Sequence, residues 1–252
     1  MNVIDLQRNL TPIDKIFTKA VGVTQNTLVK LTVALQAKSS HEEYAKWQKA
    51  ADKLYPRLKA IGLEPERLWW GPMTLTPKKT NFLLDEIERL EPKQALEVGA
   101  GTSTAVLAAA ANHYGFELTS LENHPGTISY IESLIGDLPC AQKITLQKCG
   151  FQKFIGEDAR EYRWYNADLS QIADPIDFVL VDGPMGSLVG RNGAMHQILP
   201  YLHSNHGFYL DDCKRSHEQK CVEEWKKHYP GVTALIPPNV GMFSIQIPAQ
   251  YI

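Results

Sequence analysis

The feature that most constrains the fold is one continuous stretch, residues 95–108, in which a short apolar segment leads through a glycine turn into an alanine-rich segment. Residues 95–98 have the pattern of a buried parallel strand, and residues 103–113 have the composition of a helix that Gly115 ends. Between them, the Gly-Ala-Gly turn at residues 99–101 lets backbone N–H groups approach a ligand closely. The sequence therefore predicts a nucleotide-type binding edge between this strand and this helix.

Composition and charge narrow the classes of function. The chain has 252 residues, enough for one domain with a full core and a smaller appendage. Its 26 basic and 28 acidic side chains give a net charge of −2 without any block of like charge, so binding to nucleic acid or to an anionic membrane is not indicated. No apolar run is long enough to span a bilayer, and the four cysteines form no C-x-x-C pair. We expect a cytoplasmic protein with a small-molecule substrate, no nucleic-acid partner and no membrane.

The first part of the chain, residues 1–70, is predicted to be a helical cap on a second unit, residues 71–252. Thr11-Pro12 predicts the start of one helix, residues 26–37 carry an apolar helical stripe, and Ser40 begins a capping box for a third helix. We expect this cap to pack on the main unit or on a second copy of the chain, which would give a homo-oligomer through these helices.

Strands and helices alternate beyond this cap, which predicts a parallel sheet covered by helices. Besides the strand at residues 95–98, the predicted strands cover residues 117–122, 143–147, 177–182, 208–210, 233–236 and 242–247. The predicted helices other than the one after the glycine turn cover residues 77–90, 127–135, 194–202 and 216–228. A five-residue connection with a glycine joins the last two strands and favours an antiparallel hairpin. The predicted fold class is α/β, with a mostly parallel seven-stranded sheet that ends in this hairpin.

Three other segments have predicted roles in this unit. Residues 149–174 show no clear periodicity and are predicted as a loop with some helix, whereas residues 183–193 are predicted as a glycine-rich loop. Ser216 begins a second capping box, which predicts the start of the helix there. Trp69-Trp70 could close over a flat ligand, although adjacent aromatic residues more often pack between helices.

The glycine turn departs from a dinucleotide-binding motif. Residues 99–104 approach G-x-G-x-x-G, but Thr104 stands where a dinucleotide fold requires Gly or Ala against the helix. Glu97, at the end of the first strand, suits a cationic ligand group better than a pyrophosphate. Glu122, at the end of the second strand, is placed to bind both hydroxyls of a ribose. Either acid alone is better explained as a helix cap or a solvated strand end, but together with the turn they favour a nucleoside that carries positive charge.

On these residues the chain resembles the class I S-adenosylmethionine-dependent methyltransferases. Their acid-x-Gly-x-Gly motif matches Glu97-Val98-Gly99-Ala100-Gly101, their ribose-binding acid matches Glu122, and their fold also ends in an antiparallel hairpin. A narrower resemblance, to a little-characterised bacterial group, rests on Asp182-Gly183-Pro184, Arg191 and Leu210-Asp211-Asp212. The resemblance covers nearly all of the chain beyond the cap. It implies a Rossmann-like class I methyltransferase fold, S-adenosylmethionine as the cofactor and methyl transfer by displacement from its sulfonium.

The resemblance also implies roles for single residues. Gly99 and Gly101 would leave room near the backbone for the methionine part of the cofactor. Glu97 would contact its ammonium group, and Glu122 would hold the ribose. Residues 149–151 are the candidate adenine segment, because the usual acid after the third strand has no clear match. The predicted cofactor-binding residues are Glu97, Gly99, Ala100, Gly101, Ser103, Glu122 and Asn123.

Three acids follow the fourth and fifth predicted strands, which are neighbours in the predicted topology. Asp182 follows one strand, and Asp211 and Asp212 follow the other. Three oxygen ligands at one sheet edge could hold Mg²⁺ or Ca²⁺. The arrangement resembles that of the metal-dependent catechol-type O-methyltransferases. Such an ion would lower the pKa of a substrate hydroxyl and position its oxygen. Alternatively, the acids cap the next helix or face solvent, and no metal takes part.

Without a metal, a hydroxyl substrate requires a general base. Asp182 and His196 are the candidates, although the position of His196 in a helix beside apolar residues favours packing. Arg191 is predicted to orient an anionic substrate or to pair with Asp182 or Asp212. The predicted catalytic residues are therefore Asp182, His196 and Arg191.

O-methylation of a small molecule or of a sugar-like acceptor is the leading predicted function. A NAD-dependent oxidoreductase is one alternative, which Thr104 and the closing hairpin disfavour. Two further alternatives are an aminopropyl transferase on a related fold and a non-catalytic cofactor-binding subunit.

Overall fold

A computed structural model describes residues 47, 49–68, 70, 74–136, 143–184 and 190–252. Outside these residues lie several sequence predictions: the helix at Thr11-Pro12, the helix at 26–37, the Ser40 capping box, Trp69 and the middle of the 183–193 loop. Of the predicted cap, helix α1 (Tyr55–Ala60) begins with a proline in its first turn and buries Leu58. No helix in the described ranges is both long and apolar enough to cross a membrane. The boundary at residue 70 stays a prediction.

The main unit has the predicted alternation of helices and strands. Its helices are α2 (Pro77–Leu90), α3 (Thr102–Tyr114), α4 (Pro125–Ile135), α5 (Gly193–Ile198) and α6 (Ser216–His228). Its strands are β1 (Gln94–Val98), β2 (Glu117–Glu122), β3 (Ile144–Lys148), β4 (Phe151–Ile155), β5 (Glu161–Tyr165), β6 (Ile176–Val181), β7 (Leu202–Leu210), β8 (Thr233–Leu235) and β9 (Phe243–Gln246). Three of these elements, α2, β2 and α6, have the predicted bounds.

One sheet holds seven of these strands in the order β3-β2-β1-β6-β7-β9-β8. The strands from β3 to β7 in this order pair in parallel, whereas β9 is antiparallel to both β7 and β8. The predicted fold class is therefore confirmed, including the closing antiparallel hairpin.

Apolar side chains cover both faces of the sheet. All five residues of β1 are buried, so this strand lies at the centre of the fold. On one face, α3 packs closely because much of its buried surface is alanine, and Gly115 ends the helix with a φ of 87° in the left-handed region. Met195 of α5 and Trp225 of α6 belong to the core on the other face. The parallel strands, and the loops that follow them, are thus positioned by apolar packing on both faces of the sheet.

Residues 149–174, predicted as a loop with some helix, contain a 3₁₀ turn at Leu169–Gln171 but also an antiparallel hairpin of β4 and β5 that was not predicted. In β5, Tyr162 and Trp164 are buried and their charged neighbours are exposed, which is the alternation of a strand. The sequence signal is weak because this alternation covers only five residues. The chain also turns at residues 156–160 without an Asn-Gly pair to mark the hairpin.

The chain around β7 corrects three further predictions. The helix predicted over residues 194–202 ends at Ile198, and a 3₁₀ turn with Pro200 follows, because proline has no N–H to continue the helix. Strand β7 begins at Leu202 instead of residue 208. The first half of this strand was not predicted because its side chains are polar and largely exposed. Ser216 is the first residue of α6 and not its N-cap; that position belongs to Arg215, whose side chain makes no capping hydrogen bond.

Candidate functional site

The carboxyl ends of four parallel strands meet at one edge of the sheet. Val98 of β1 is in register with Leu121 of β2 and with Val181 of β6, and Val181 is in register with Leu210 of β7. The residues that follow these strands therefore lie side by side. They include the glycine turn and all three acids for which a metal was considered.

Gly99 is required by a close approach of two backbones. Its φ is 93°, and a Cβ on it would lie 2.6 Å from the nitrogen of Gly183 and 2.7 Å from its Cα. The Gly183 N–H in turn donates to the carbonyl of Val98 at 2.6 Å. A Cβ at Gly101 would meet only the Ser103 hydroxyl, at 3.8 Å, so this side of the turn is open. No local pattern around Gly183 predicts that this residue packs on the turn.

Glu97 lies beneath the turn and is fully buried. Its carboxylate accepts hydrogen bonds from the hydroxyls of Ser103 at 2.5 Å, Thr104 at 2.6 Å and Ser120 at 2.6 Å. Burial raises its pKa to about 7, although these hydrogen bonds act in the opposite direction. The Thr104 oxygen also accepts the Gly101 N–H at 2.9 Å, which gives a physical reason for a threonine where a dinucleotide motif has glycine or alanine.

Glu122 joins the end of β2 to the same turn. One carboxylate oxygen accepts the Ala100 N–H at 3.0 Å, and the other accepts the N–H groups of Asn123 at 2.7 Å and His124 at 2.6 Å. Burial raises its pKa, and the three backbone hydrogen bonds offset part of that rise. The two predicted cofactor acids, Glu97 and Glu122, are thus both in contact with the glycine turn or the first turn of α3.

Tyr165 is a residue of this site that sequence reasoning missed. Its hydroxyl donates to the Asn123 side chain at 3.4 Å, and a Cβ on Gly183 would lie 2.9 Å from the same oxygen. The candidate adenine segment is adjacent: the Phe151 ring lies 5.1 Å from the Tyr165 ring, and the Cys149 N–H donates to the Glu122 carbonyl. The structure therefore places residues 149–151 beside the predicted ribose acid, whereas their role stays a prediction.

The three acids converge as predicted. One carboxylate oxygen each of Asp182, Asp211 and Asp212 lies within 4.8 Å of the others. The side chain of Asp211 is 5% exposed, that of Asp212 19% and that of Asp182 24%. Burial raises the pKa of Asp182 well above its usual range, and the Asp211 carboxylate raises it further, whereas Arg191 acts against both.

Two cations of the chain already contact these oxygens. The Lys79 ammonium lies 2.5 Å from Asp211 Oδ1 and 3.8 Å from Asp212 Oδ1. The Arg191 guanidinium lies 3.1 Å from Asp182 Oδ1 and 3.3 Å from Asp212 Oδ2. The predicted pairing of Arg191 is confirmed, whereas the contact of Lys79 was not predicted. Although three carboxylates are a suitable donor set for Mg²⁺, their contacts with two fixed cations do not fit a divalent ion.

His196 lies in a different part of the molecule's core. Its Nδ1 is 2.6 Å from the Tyr229 hydroxyl, and its ring lies 4.5 Å from the Tyr162 ring. Burial lowers its pKa, and the nearby Asp158 carboxylate acts in the opposite direction. None of the described contacts joins His196 to the three acids, so the structure does not bring this predicted base to the strand ends. Its neighbours are instead those of a packed histidine.

Comparison of the sequence with protein-family models and with curated proteins gives no match. Among solved structures, the chain is similar to the O-methyltransferase from Bacillus cereus in complex with SAH, with 15% identity, a TM-score of 0.52, and coverage of 79% of this chain and 91% of that one. It is also similar to precorrin-6y C5,15-methyltransferase from Geobacter metallireducens, with 16% identity, a TM-score of 0.52, and coverage of 75% and 93%. At such identities the similarity shows the fold, which is the Rossmann-like methyltransferase fold that the sequence predicted.

Proposed function

We propose that this chain, which has the fold of the methyltransferases, is itself an S-adenosylmethionine-dependent methyltransferase that acts on a hydroxyl oxygen of a small or sugar-like molecule. The observation that carries the proposal is the pair of buried acids around the glycine turn. Glu122 is bonded to the Ala100 N–H of the turn, and Glu97 is bonded beneath it to Ser103 and Thr104.

The residues of the turn fit this cofactor better than a dinucleotide. A pyrophosphate carries negative charge and would lie near the first turn of α3, directly above the Glu97 carboxylate. A methionine ammonium group there would instead be attracted to the Glu97 carboxylate, and its positive charge would favour the ionised form of that buried acid. The open side of Gly101 leaves space for that part of the cofactor. Glu122, at the end of β2, is then the acid that would accept hydrogen bonds from the ribose hydroxyls.

The reaction requires a group that takes the proton of the acceptor. When bound, S-adenosylmethionine supplies an electrophilic methyl group on a positively charged sulfur. Asp182 is the proposed base because its side chain is the most exposed of the three acids. Arg191 would hold one Asp182 oxygen in place at 3.1 Å. Mg²⁺ is left out of the proposed reaction because Lys79 and Arg191 contact the oxygens that would bind it.

The test is a methyl-transfer assay with isotope-labelled S-adenosylmethionine and a panel of phenols, catechols, sugars and hydroxy acids. For an acceptor that is methylated, we predict that Asp182→Asn lowers kcat by about 10²–10⁴-fold, the usual contribution of a general base. The binding of S-adenosylhomocysteine should change little, since Asp182 does not contact Glu97 or Glu122 in the described structure.

The matched control is Asp168→Asn, a change in an exposed acid that bonds only to its local turn. Equal activity of the two variants would contradict the role of Asp182. If the chain binds the cofactor tightly but methylates no acceptor of the panel, the result would instead favour a non-catalytic cofactor-binding subunit.

A further inference from the structure

Lys79 is a largely enclosed cation at the strand ends that no step of the proposed reaction uses. The first turn of α2 fixes its backbone: Thr76 is the N-cap, its hydroxyl accepts the Lys79 N–H at 3.3 Å, and Pro77 follows it. The side chain is only 12% exposed, and its Cε lies 3.6 Å from where a Cβ on Gly241 would be. The lysine is therefore held between α2, the end of β7 and the loop before β9.

Arg191 occupies the other half of the same acidic cluster. Its guanidinium donates to the carbonyl of Asp211 at 3.3 Å, in addition to its contacts with the carboxylates of Asp182 and Asp212. The side chain is 3% exposed, and its Nε lies 3.7 Å from the buried Glu218 carboxylate of α6. This arginine thus connects the ends of β6 and β7 with the start of α6.

The charges of the cluster are nearly balanced by side chains alone. The three strand-end acids and Glu218 face Lys79, Arg191 and the more exposed Arg215, which lies 2.7 Å from Asp212. A divalent ion bound to these acids would need several of the same oxygens at about 2.0–2.6 Å. It would then lie beside the buried Arg191 and the largely enclosed Lys79, and both cations would repel it strongly in a site of low dielectric constant.

We propose that Lys79 and Arg191 take the place that a divalent metal would occupy at these strand ends. They hold the three carboxylates together, and their charges occupy the positions that the ion's charge would need. This proposal concerns ion binding alone and stands without the proposed methyltransferase function. Lys79 is therefore a positioning residue for the strand-end acids.

The test measures the binding of Mn²⁺ by electron paramagnetic resonance of the free ion and by calorimetry. We predict that the wild-type chain has no site with a Kd below about 1 mM. Lys79→Met removes the ammonium and leaves Asp211 without its cation, so this variant should bind one Mn²⁺ at least about tenfold more tightly than the wild type. The double variant with Lys79→Met and Asp211→Asn should lose that gain.

Lys78→Met is the matched control, because the neighbouring lysine of the same helical turn is exposed. Lys79→Gln repeats the test with a polar side chain in case the methionine variant fails to fold. The proposal would be overturned if the wild-type chain binds one Mn²⁺ with a micromolar Kd and the Asp211→Asn variant loses this binding. So would folded Lys79 variants without any gain in affinity. Binding of S-adenosylhomocysteine, measured on the same samples, tests the proposed function separately.

Discussion

At the scale of single residues, Glu97 is the side chain whose chemistry is most altered by its surroundings. It is an acid with no exposed surface, and its partners are three hydroxyl groups and no cation. Desolvation disfavours the charged form of such a group, which raises its pKa to about 7. The folded chain thus binds a proton here at a pH at which the unfolded chain has released it.

This shift makes the stability of the fold depend on pH. Because the folded pKa is raised, the stabilisation is complete below the unfolded pKa of about 4.5 and is lost as the pH rises through about 7. Glu97→Gln mimics the protonated acid and should lack this dependence. From about pH 5 to about pH 8, we predict that the unfolding free energy of the wild type falls by about 2–3 kcal/mol relative to the variant.

Urea denaturation at several pH values measures this difference. The control is Glu91→Gln, a change in an exposed acid next to the end of α2. A constant gap between wild type and Glu97→Gln over this pH range would show that Glu97 is ionised throughout.

At the scale of secondary-structure elements, the segments that follow β1 and β6 pack against each other through two glycines. The backbones of Gly99 and Gly183 approach so closely that a Cβ on either would lie within 2.7 Å of the other backbone. Neither neighbour is a flexible side chain that can move aside. The glycine turn is therefore set by its contact with the segment after β6 as well as by its own sequence.

We predict that Gly183→Ala lowers the unfolding free energy by about 2–4 kcal/mol, because the new methyl group forces two strand ends apart. Gly150→Ala is the matched control, since its Cβ would meet only the Asn166 side chain, at 3.8 Å. The measurement is thermal or denaturant unfolding of both variants. Equal stability of the two would mean that the backbones after β1 and β6 separate easily.

The same elements show which parts of the structure were predictable. The alanine-rich α3, the glycine turn and the buried strands follow from local composition and periodicity, and so do their bounds to within a few residues. The β4–β5 hairpin was not predictable, because its alternating aromatic and charged residues lack a turn signal. Two boundaries also differ from the prediction. Pro200 follows the end of α5, which comes earlier than predicted, and β7 begins earlier than predicted because its first half is polar.

At the scale of the whole molecule, the site lies at the carboxyl ends of the parallel strands, and an apolar core covers each face of their sheet. The convergence of Asp182, Asp211 and Asp212 was predictable, because parallel strands bring their carboxyl ends to one edge. Lys79 and Tyr165 were not predictable, since each reaches the site from an element that is distant in sequence and only the tertiary packing decides where its side chain ends. The helical cap and an oligomer through it stay predictions, as does the location of the protein in the cell.

The central claim is that the glycine turn binds a sulfonium nucleoside. Calorimetric titration with S-adenosylhomocysteine and, separately, with NAD⁺ tests this claim most directly. We predict binding of S-adenosylhomocysteine with a Kd of about 1–100 μM and no binding of NAD⁺ in that range. Glu122→Ala should weaken the binding by at least about tenfold, whereas Glu117→Ala, at the exposed opposite end of β2, should leave it unchanged. Binding of NAD⁺ without binding of S-adenosylhomocysteine would contradict the account.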